Sequence, residues 1–355
     1  FDTKYFNYNN EKRVDLESHL NEKFDEKIYP PIFWFDIKNI EKNIFPFGTI
    51  SDSIILSCNE NNYYSYFKTD KYGFRNENKI WNEKKLDILI VGDSQLFNDC
   101  SMGDEHIVSK IKNHLNHFQK KNNILNLSHG GASFLTQYAS IKEYAQQFKK
   151  INNILFFLNE KSLITNYKSH NLKTDVILNY LNPYYLRNLN RKQKEINLIY
   201  KKNISYKKYI INKTYNFINF ISLSNIRNNL IVFFKKDKKF LINNELNENT
   251  KYNIEKTIKN LSLIIKKDTK VHFVFLPNRM RYGSNKNIVK QFLKNQKIIK
   301  SIIKSYSFNY IDISDIFKEN NFYKDAYSNY YGLHYNDKAK DLISNVIMRD
   351  IYKLN

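Results

Sequence analysis

The chain has 355 residues, of which 42% are hydrophobic and 15% aromatic, enough to bury a sizeable core in one large domain or two modest ones. The low counts of 8 glycines and 5 prolines exclude collagen-like, linker-rich and turn-rich all-β classes. The formal net charge is +22, but no nucleic-acid-binding motif accompanies the basic residues, so we expect no specific nucleic-acid partner. A charge of this size still favours contact with an anionic membrane surface.

The first 85 residues show no regular alternation of strands and helices. Short strands are predicted at 53–56 and 63–67, and residues 70–76 have the composition of a turn. We interpret residues 1–85 as an N-terminal extension that packs on a core built by the rest of the chain.

From residue 86 onward, strands and helices alternate. The predicted strands cover 86–92, 124–128, 153–158, 270–276 and 309–313, and the predicted helices cover 104–119, 133–149, 286–305 and 336–352. This alternation predicts a three-layer α/β/α fold with a parallel sheet of about five strands. A Tyr-, Asn- and Lys-rich stretch at 164–265 interrupts it and reads as a largely helical insertion or lid. The α/β domain would then comprise 86–163 and 266–355.

The first predicted strand ends at Gly92-Asp93-Ser94. A serine at the carboxyl end of a buried parallel strand faces the crevice where α/β proteins bind ligands. Gly92 is expected to permit a tight turn, and a helix that begins after it would favour developing negative charge. Ser94 is therefore a candidate nucleophile, although Gly-Asp-Ser is also a common turn tripeptide.

Three further loops are predicted at the same edge of the sheet. Gly131 follows the second strand and offers a backbone N–H close to a ligand, Asn159 follows the third strand, and His334 precedes the last helix. Because the carboxyl ends of parallel strands share one edge, we expect these residues to converge on Ser94. Taken alone, His334 is better explained as a core or capping histidine, and His129 is a rival base that precedes a Gly-Gly turn and would otherwise contact only solvent.

The order of these blocks resembles that of the SGNH (GDSL-like) hydrolase family. The matching blocks are Gly92-Asp93-Ser94, residues 126–131, Asn159 and His334-Tyr335-Asn336. The likeness covers about 60–355, apart from the insertion. It implies the flavodoxin-like α/β fold of that family.

The resemblance also implies roles for individual residues. Ser94 would be the nucleophile and His334 its base, while the N–H groups of Ser94 and Gly131 and the Asn159 side chain would form an oxyanion hole. No metal or organic cofactor is implied. The implied function is a serine esterase or acyltransferase that acts on O-acyl groups, acetyl included, of a cell-envelope or secreted carbohydrate or on another small ester.

Two positions depart from the family pattern. An ungapped comparison places Lys161 where the family has its third-block asparagine, so Lys161 and Asn159 are alternatives. The family's acid three residues before the histidine falls on Tyr331, and Asp325 is the nearest upstream carboxylate. These departures leave an alternative function open, a catalytically impaired SGNH-fold module for glycan binding or assembly.

Several segments further resemble a bacterial, envelope-associated subgroup whose members often carry an N-terminal membrane anchor. Together with a start at Phe1 and not methionine, this predicts a periplasmic or otherwise extracytoplasmic protein from which an N-terminal membrane segment has been removed. In an oxidising compartment, Cys58 and Cys100 would form a disulfide, and two buried free thiols are the alternative.

Overall fold

A computed structural model describes most of the α/β core and parts of the segments around it. The described residues are 21–22, 27–30, 44–57, 65–97, 100–101, 103–118, 122–160, 162–163, 176–204, 246–283, 285–323, 325–327 and 334–353. Of the residues singled out from the sequence, Cys58, Lys161 and Tyr331 lie outside these ranges.

A small sheet is formed by residues that precede the α/β core. Its strands are β1 (Ile28–Tyr29), β2 (Ile54–Leu56) and β3 (Tyr66–Lys68). β2 pairs in parallel with β1 and antiparallel with β3. Other residues of the predicted N-terminal extension enter the main hydrophobic core: Phe45, Phe47, Phe74 and Trp81.

The main sheet has five strands in the order β5-β4-β6-β7-β8, and every pair of adjacent strands in it is parallel. The strands are β4 (Lys85–Val91), β5 (Ile124–Asn126), β6 (Lys150–Leu158), β7 (Lys270–Phe275) and β8 (Asn309–Asp312). The chain steps from β4 outward to β5 and then returns to β6 on the other side of β4. The sheet order therefore reverses between β4 and β6, and the carboxyl ends of these strands flank the usual ligand crevice.

Helices cover both faces of this sheet. They are α1 (Ser94–Phe97), α2 (Ile107–His117), α3 (Phe134–Tyr144), α4 (Glu248–Ile264), α5 (Lys286–Ser305), α6 (Ile313–Glu319) and α7 (Asp337–Tyr352). Along β4, Leu89 and Val91 join the core beneath α3, α4 and α5, whereas Ile88 and Ile90 join the core beneath α2, α6 and α7. The predicted three-layer α/β/α fold is confirmed. Within the described ranges, no helix is both long and apolar enough to cross a bilayer.

Helix α4 lies within the predicted insertion 164–265 but packs on the α/β core. Its buried side chains Ile254, Ile258 and Leu261 recur at helical spacing and join the same core as α3. It therefore occupies the place of the crossover helix between β6 and β7.

Helix α6 was not predicted, because the fifth strand was expected to continue to residue 313. The strand ends at Asp312, whose side chain accepts a hydrogen bond from the backbone N–H of Ser314 and caps α6.

A buried aspartate organises the turn before β4. Asp70 Oδ1 accepts the backbone N–H groups of Tyr72 and Phe74, and Oδ2 accepts hydrogen bonds from the Asn76 amide and the Trp81 indole. Asn76 also bonds the backbone N–H and C=O of Asn126, so it covers part of the edge of β5. Burial raises the pKa of Asp70 to about 6, although these hydrogen bonds oppose the shift.

Replacing Asp70 by asparagine is expected to lower the free energy of unfolding by about 1–3 kcal/mol, because an amide NH2 would face N–H donors. The pKa of Asp70 is raised in the folded protein, so its favourable contribution is complete below about pH 4 and is lost as the pH rises through about 6. The difference in stability between wild type and variant should therefore shrink between pH 4 and pH 7. Urea unfolding at both pH values measures it, and a difference that grows with pH contradicts this account.

Candidate active site

Gly92 joins β4 to the turn that carries Ser94. A Cβ at this position would lie 2.4 Å from Leu96 Cδ1 and 3.1 Å from Phe157 Cβ, and φ is not in the left-handed region. The expectation that glycine is needed for the conformation of a tight turn is therefore wrong. Glycine is needed because the turn passes so close to a buried leucine and to β6.

Asp93 fixes the start of α1. Its carboxylate Oδ1 accepts the backbone N–H of Gln95 at 3.0 Å, and its carbonyl accepts the N–H groups of Leu96 and Phe97. Ser94 is thus the first residue of a short helix at the carboxyl end of β4, and it is half-buried. The hydroxyl is held on a rigid element at the edge where the sheet order reverses.

The structure brings His334 to Ser94. The distance between His334 Nε2 and Ser94 Oγ is 3.2 Å, although the two residues are 240 positions apart in sequence. This separation is within hydrogen-bond range for a serine hydroxyl and a histidine base. Among the described histidines, the ring that faces Ser94 is therefore that of His334.

The residue after His334 anchors the histidine loop. The Tyr335 backbone N–H donates to Gln95 Oε1 at 3.3 Å, and its hydroxyl donates to the carbonyl of Pro277 at 2.5 Å. Asn336 then caps α7 by accepting the backbone N–H of Ala339. Gln95 was not identified from the sequence, and Tyr335 was recognised there only as part of the block His334-Tyr335-Asn336, without this anchoring role.

The loop after β5 also reaches this edge. The His129 backbone N–H donates to the carbonyl of Gly92 at 3.1 Å, which places the loop beside the Ser94 turn. Gly131 is exposed and has a φ of 70°, a conformation that favours glycine. The His129 ring is buried and stacks on Phe47 with centroids 5.3 Å apart. Burial lowers the pKa of His129 to about 4, so this histidine is a neutral core residue and is not exposed to solvent.

Asn159 follows β6 and lies beside the Ser94 turn. Its Nδ2 donates to Asp93 Oδ2 at 2.5 Å, and its Oδ1 accepts the backbone N–H of Ser162 at 2.9 Å. The Ser162 hydroxyl in turn accepts the backbone N–H of Asn159. These bonds fix the orientation of the amide next to the residue that precedes Ser94.

A buried ion pair supports both sides of the site. Glu160 Oε1 contacts Arg281 Nε at 2.7 Å, and Glu160 Oε2 accepts the backbone N–H of Asn278. Burial raises the pKa of Glu160, and the Arg281 guanidinium opposes that shift. Pro277 belongs to the same loop, and its carbonyl accepts a hydrogen bond from the Tyr335 hydroxyl. The loop after β7 is therefore bonded both to Glu160, which follows Asn159, and to Tyr335, which follows His334. The ion pair was not predicted, since nothing in the sequence links positions 160 and 281.

A sulfur atom lies at the other nitrogen of the His334 ring. Cys100 Sγ is 3.5 Å from His334 Nδ1, and Cys100 is disulfide-bonded.

Asp325 is exposed, its backbone carbonyl accepts the Asn336 amide, and its carboxylate forms no ion pair with the described residues. Among the described contacts of Asp325, none joins its carboxylate to the His334 ring.

A second serine–histidine contact occurs at the start of α2. Ser109 Oγ lies 2.8 Å from His106 Nε2, on the wall of a surface cleft that Lys112 also lines. His106 is the N-cap residue of α2 and Ser109 lies in its first turn, three positions later, so this contact follows from local geometry. It offers a matched control for experiments on Ser94.

The Ser94–His334 arrangement suits acyl transfer. A hydroxyl within reach of a histidine nitrogen can be deprotonated as it attacks a carbonyl carbon. Backbone and amide N–H groups from neighbouring loops are the donors that stabilise the resulting oxyanion. Across the described ranges, no group of three or more His, Cys, Asp or Glu side chains could hold a metal ion.

No protein-family model and no curated protein matches the chain. Among solved structures, it is similar to the psychrotrophic esterase EstA from Pseudoalteromonas sp., at 14% identity and a TM-score of 0.39, over 76% of this chain and 98% of that one. It is also similar to the lipase/acylhydrolase from Enterococcus faecalis, at 10% identity and a TM-score of 0.41, over 76% and 96% of the two chains. A third similar structure is protein YXIM from Bacillus subtilis, at 12% identity and a TM-score of 0.39. That match covers 76% of this chain and 57% of the Bacillus subtilis chain.

The chain itself has an α/β/α fold with a five-stranded parallel sheet. Similarity at this level concerns the arrangement of strands and helices and says nothing about substrate or reaction. The order predicted from the sequence agrees with the strands of this structure, since Ser94, the 126–131 loop and Asn159 follow β4, β5 and β6 in turn. The membrane-anchored subgroup stays a prediction.

Proposed function

We propose that this protein is a serine esterase or acyltransferase with Ser94 as nucleophile and His334 as base. The observation that carries the proposal is the 3.2 Å contact between Ser94 Oγ and His334 Nε2 at the carboxyl edge of the parallel sheet. This edge is where α/β folds bind their ligands. Tyr335 donates hydrogen bonds to Gln95 and to the carbonyl of Pro277, and these bonds hold the loop that carries His334 in place.

The proposed reaction has two halves. Ser94 Oγ attacks the ester carbonyl while His334 Nε2 accepts the hydroxyl proton, and His334 then returns that proton to the departing alcohol. The acyl group remains on Ser94 until water or a sugar hydroxyl attacks it, with His334 again accepting the proton. Water as acceptor makes the protein an esterase, and a sugar hydroxyl makes it an acyltransferase.

The proposed oxyanion hole comes from three neighbouring elements. The N–H groups of Ser94 and Gly131 and the side-chain amide of Asn159 would stabilise the negative charge on the tetrahedral oxygen. Support comes from the positive φ of Gly131 and from the bonds of Asp93 and Ser162 that orient the Asn159 amide.

For the substrate, we propose O-acyl groups, acetyl above all, on a cell-envelope or secreted carbohydrate. The support is the sequence resemblance to envelope-associated SGNH hydrolases. The same resemblance supports a periplasmic or extracytoplasmic location with an N-terminal membrane anchor. The net charge of +22 favours an acidic polymer or an anionic membrane surface nearby.

A fluorophosphonate probe tests the proposed nucleophile. The serine oxygen displaces fluoride from the probe and becomes phosphonylated only when a base activates it, so the wild-type protein should be labelled at Ser94. Ser94→Ala should lose the label and Ser109→Ala should retain it, although both remove a hydroxyl bonded to a histidine ring. Folded wild-type protein that takes no label would favour the glycan-binding or assembly alternative.

Asn159→Ala is expected to lower kcat for p-nitrophenyl acetate by about 10²–10³-fold, the usual effect of losing one oxyanion donor. KM should change little, because the donor acts on the charge that develops in the transition state. Steady-state kinetics measure both values, and a thermal melt checks that the loop after β6 stays folded. An unchanged kcat would remove Asn159 from the oxyanion hole.

A further inference from the structure

The His334 ring lies between a serine hydroxyl and a disulfide sulfur. Its Nε2 is 3.2 Å from Ser94 Oγ, and its Nδ1 is 3.5 Å from Cys100 Sγ. Cys100 is buried, with 2% of its surface exposed, and its φ is 59°. The only other cysteine in the sequence is Cys58.

The chemical state of this sulfur decides what it can do for the ring. A disulfide sulfur carries no proton and does not titrate, so towards Nδ1 it acts only as a weak hydrogen-bond acceptor. That contact favours the tautomer with the proton on Nδ1. The lone pair of Nε2 then faces Ser94, as a general base requires.

We propose that Cys100 is a positioning residue for His334 and that its disulfide makes activation of Ser94 redox-dependent. The inference rests on the proposed function and adds a regulation to the same site. Cys100 acts through the imidazole, and no contact with substrate is assigned to it.

Reduction by a dithiol changes the sulfur from acceptor to donor. The S–S bond breaks, two electrons and two protons pass to the cysteines, and the dithiol becomes a disulfide. The new Cys100 thiol then either donates its proton to Nδ1 as a hydrogen bond or transfers it to form a thiolate–imidazolium pair. In both cases Nε2 carries a proton towards Ser94, so the fraction of His334 that can accept the hydroxyl proton falls.

The test follows the rate of fluorophosphonate labelling of Ser94 with and without dithiothreitol. We expect reduction to slow labelling by about 100-fold, the lower range of a general-base contribution, and reoxidation to restore it. Thiol titration under denaturing conditions confirms that the disulfide was cleaved. Thermal melts confirm that both forms are folded at the assay temperature.

A variant separates the state of the sulfur from the stability that the cross-link supplies. Cys58→Ala leaves a thiol at Cys100, so its Ser94 should be labelled slowly even without reductant. Methyl methanethiosulfonate converts that thiol into a methyl disulfide and releases methanesulfinate, which restores a proton-free sulfur without the cross-link. We expect this treatment to restore fast labelling and dithiothreitol to reverse it, whereas C58A/C100A should respond to neither reagent.

The outcomes separate the two proposals. If Ser94 is labelled equally fast before and after verified cleavage of the disulfide, the redox dependence is overturned and the proposed function stands. If methylthiolated Cys58→Ala stays slow, the disulfide acts only as a cross-link and Cys100 loses its positioning role. If Ser94 is labelled in neither redox state, the proposed function fails and this inference fails with it.

Discussion

Replacing Ser94 by alanine is expected to abolish hydrolysis of p-nitrophenyl acetate, with kcat falling by about 10⁴-fold or more, as for the nucleophile of other serine hydrolases. The variant lacks the oxygen that forms the acyl-enzyme, so the two-step route through a covalent intermediate is closed. Release of p-nitrophenol, followed in the steady state and in the pre-steady-state burst, measures the loss.

Ser109→Ala is the matched control for this experiment. It removes the hydroxyl at the other described serine–histidine contact, 2.8 Å from His106, and should leave kcat unchanged. Ser94 itself is half-buried and its hydroxyl is a small polar group, so its loss should leave the thermal midpoint close to that of wild type. Wild-type turnover in a folded Ser94→Ala protein would remove Ser94 from the mechanism.

The loss of His334 should be nearly as large. His334→Ala is expected to lower kcat by about 10³–10⁴-fold, because Ser94 would attack without a base to accept its proton. Adding Ser94→Ala to this variant should cause little further loss, since residues that act as a unit are strongly non-additive. Kinetics of the two single variants and the double variant complete a cycle that measures the coupling.

The control for His334 is His117→Ala, which removes an exposed histidine at the end of α2 and should leave kcat unaltered. If the fold losses in kcat of the two single variants multiply in the double variant, Ser94 and His334 do not act as one unit. In that case the 3.2 Å contact would have no catalytic role.

Much of the candidate site follows from strand positions in the sequence. Ser94 and Asn159 were placed at the ends of predicted strands, and parallel strands necessarily end at one edge. The sheet confirms both placements, with β4 ending at Val91 and β6 at Leu158. The supporting contacts were harder to foresee. Gln95, Tyr335 and the Glu160–Arg281 pair have ordinary sequence surroundings, and their partners lie far away along the chain.

The packing of α4 on the main sheet could not be predicted from the sequence either. Its apolar residues have helical spacing, but a periodic pattern does not say which face of which sheet the helix covers. The same holds for Gly92, whose requirement for glycine comes from Leu96 and Phe157 and not from its own backbone angles. Close packing between distant segments decides both features.

The sequence by itself determined the five parallel strands, the α/β/α layers and, to within one or two residues, the carboxyl ends of the core strands, because hydrophobic periodicity is a local property of the chain. Only the tertiary structure decided that His334 faces Ser94 on one side and the Cys100 sulfur on the other, 240 and 234 positions away. Such contacts depend on the paths of loops whose direction is set by packing and long-range hydrogen bonds. No local pattern of residue types encodes them.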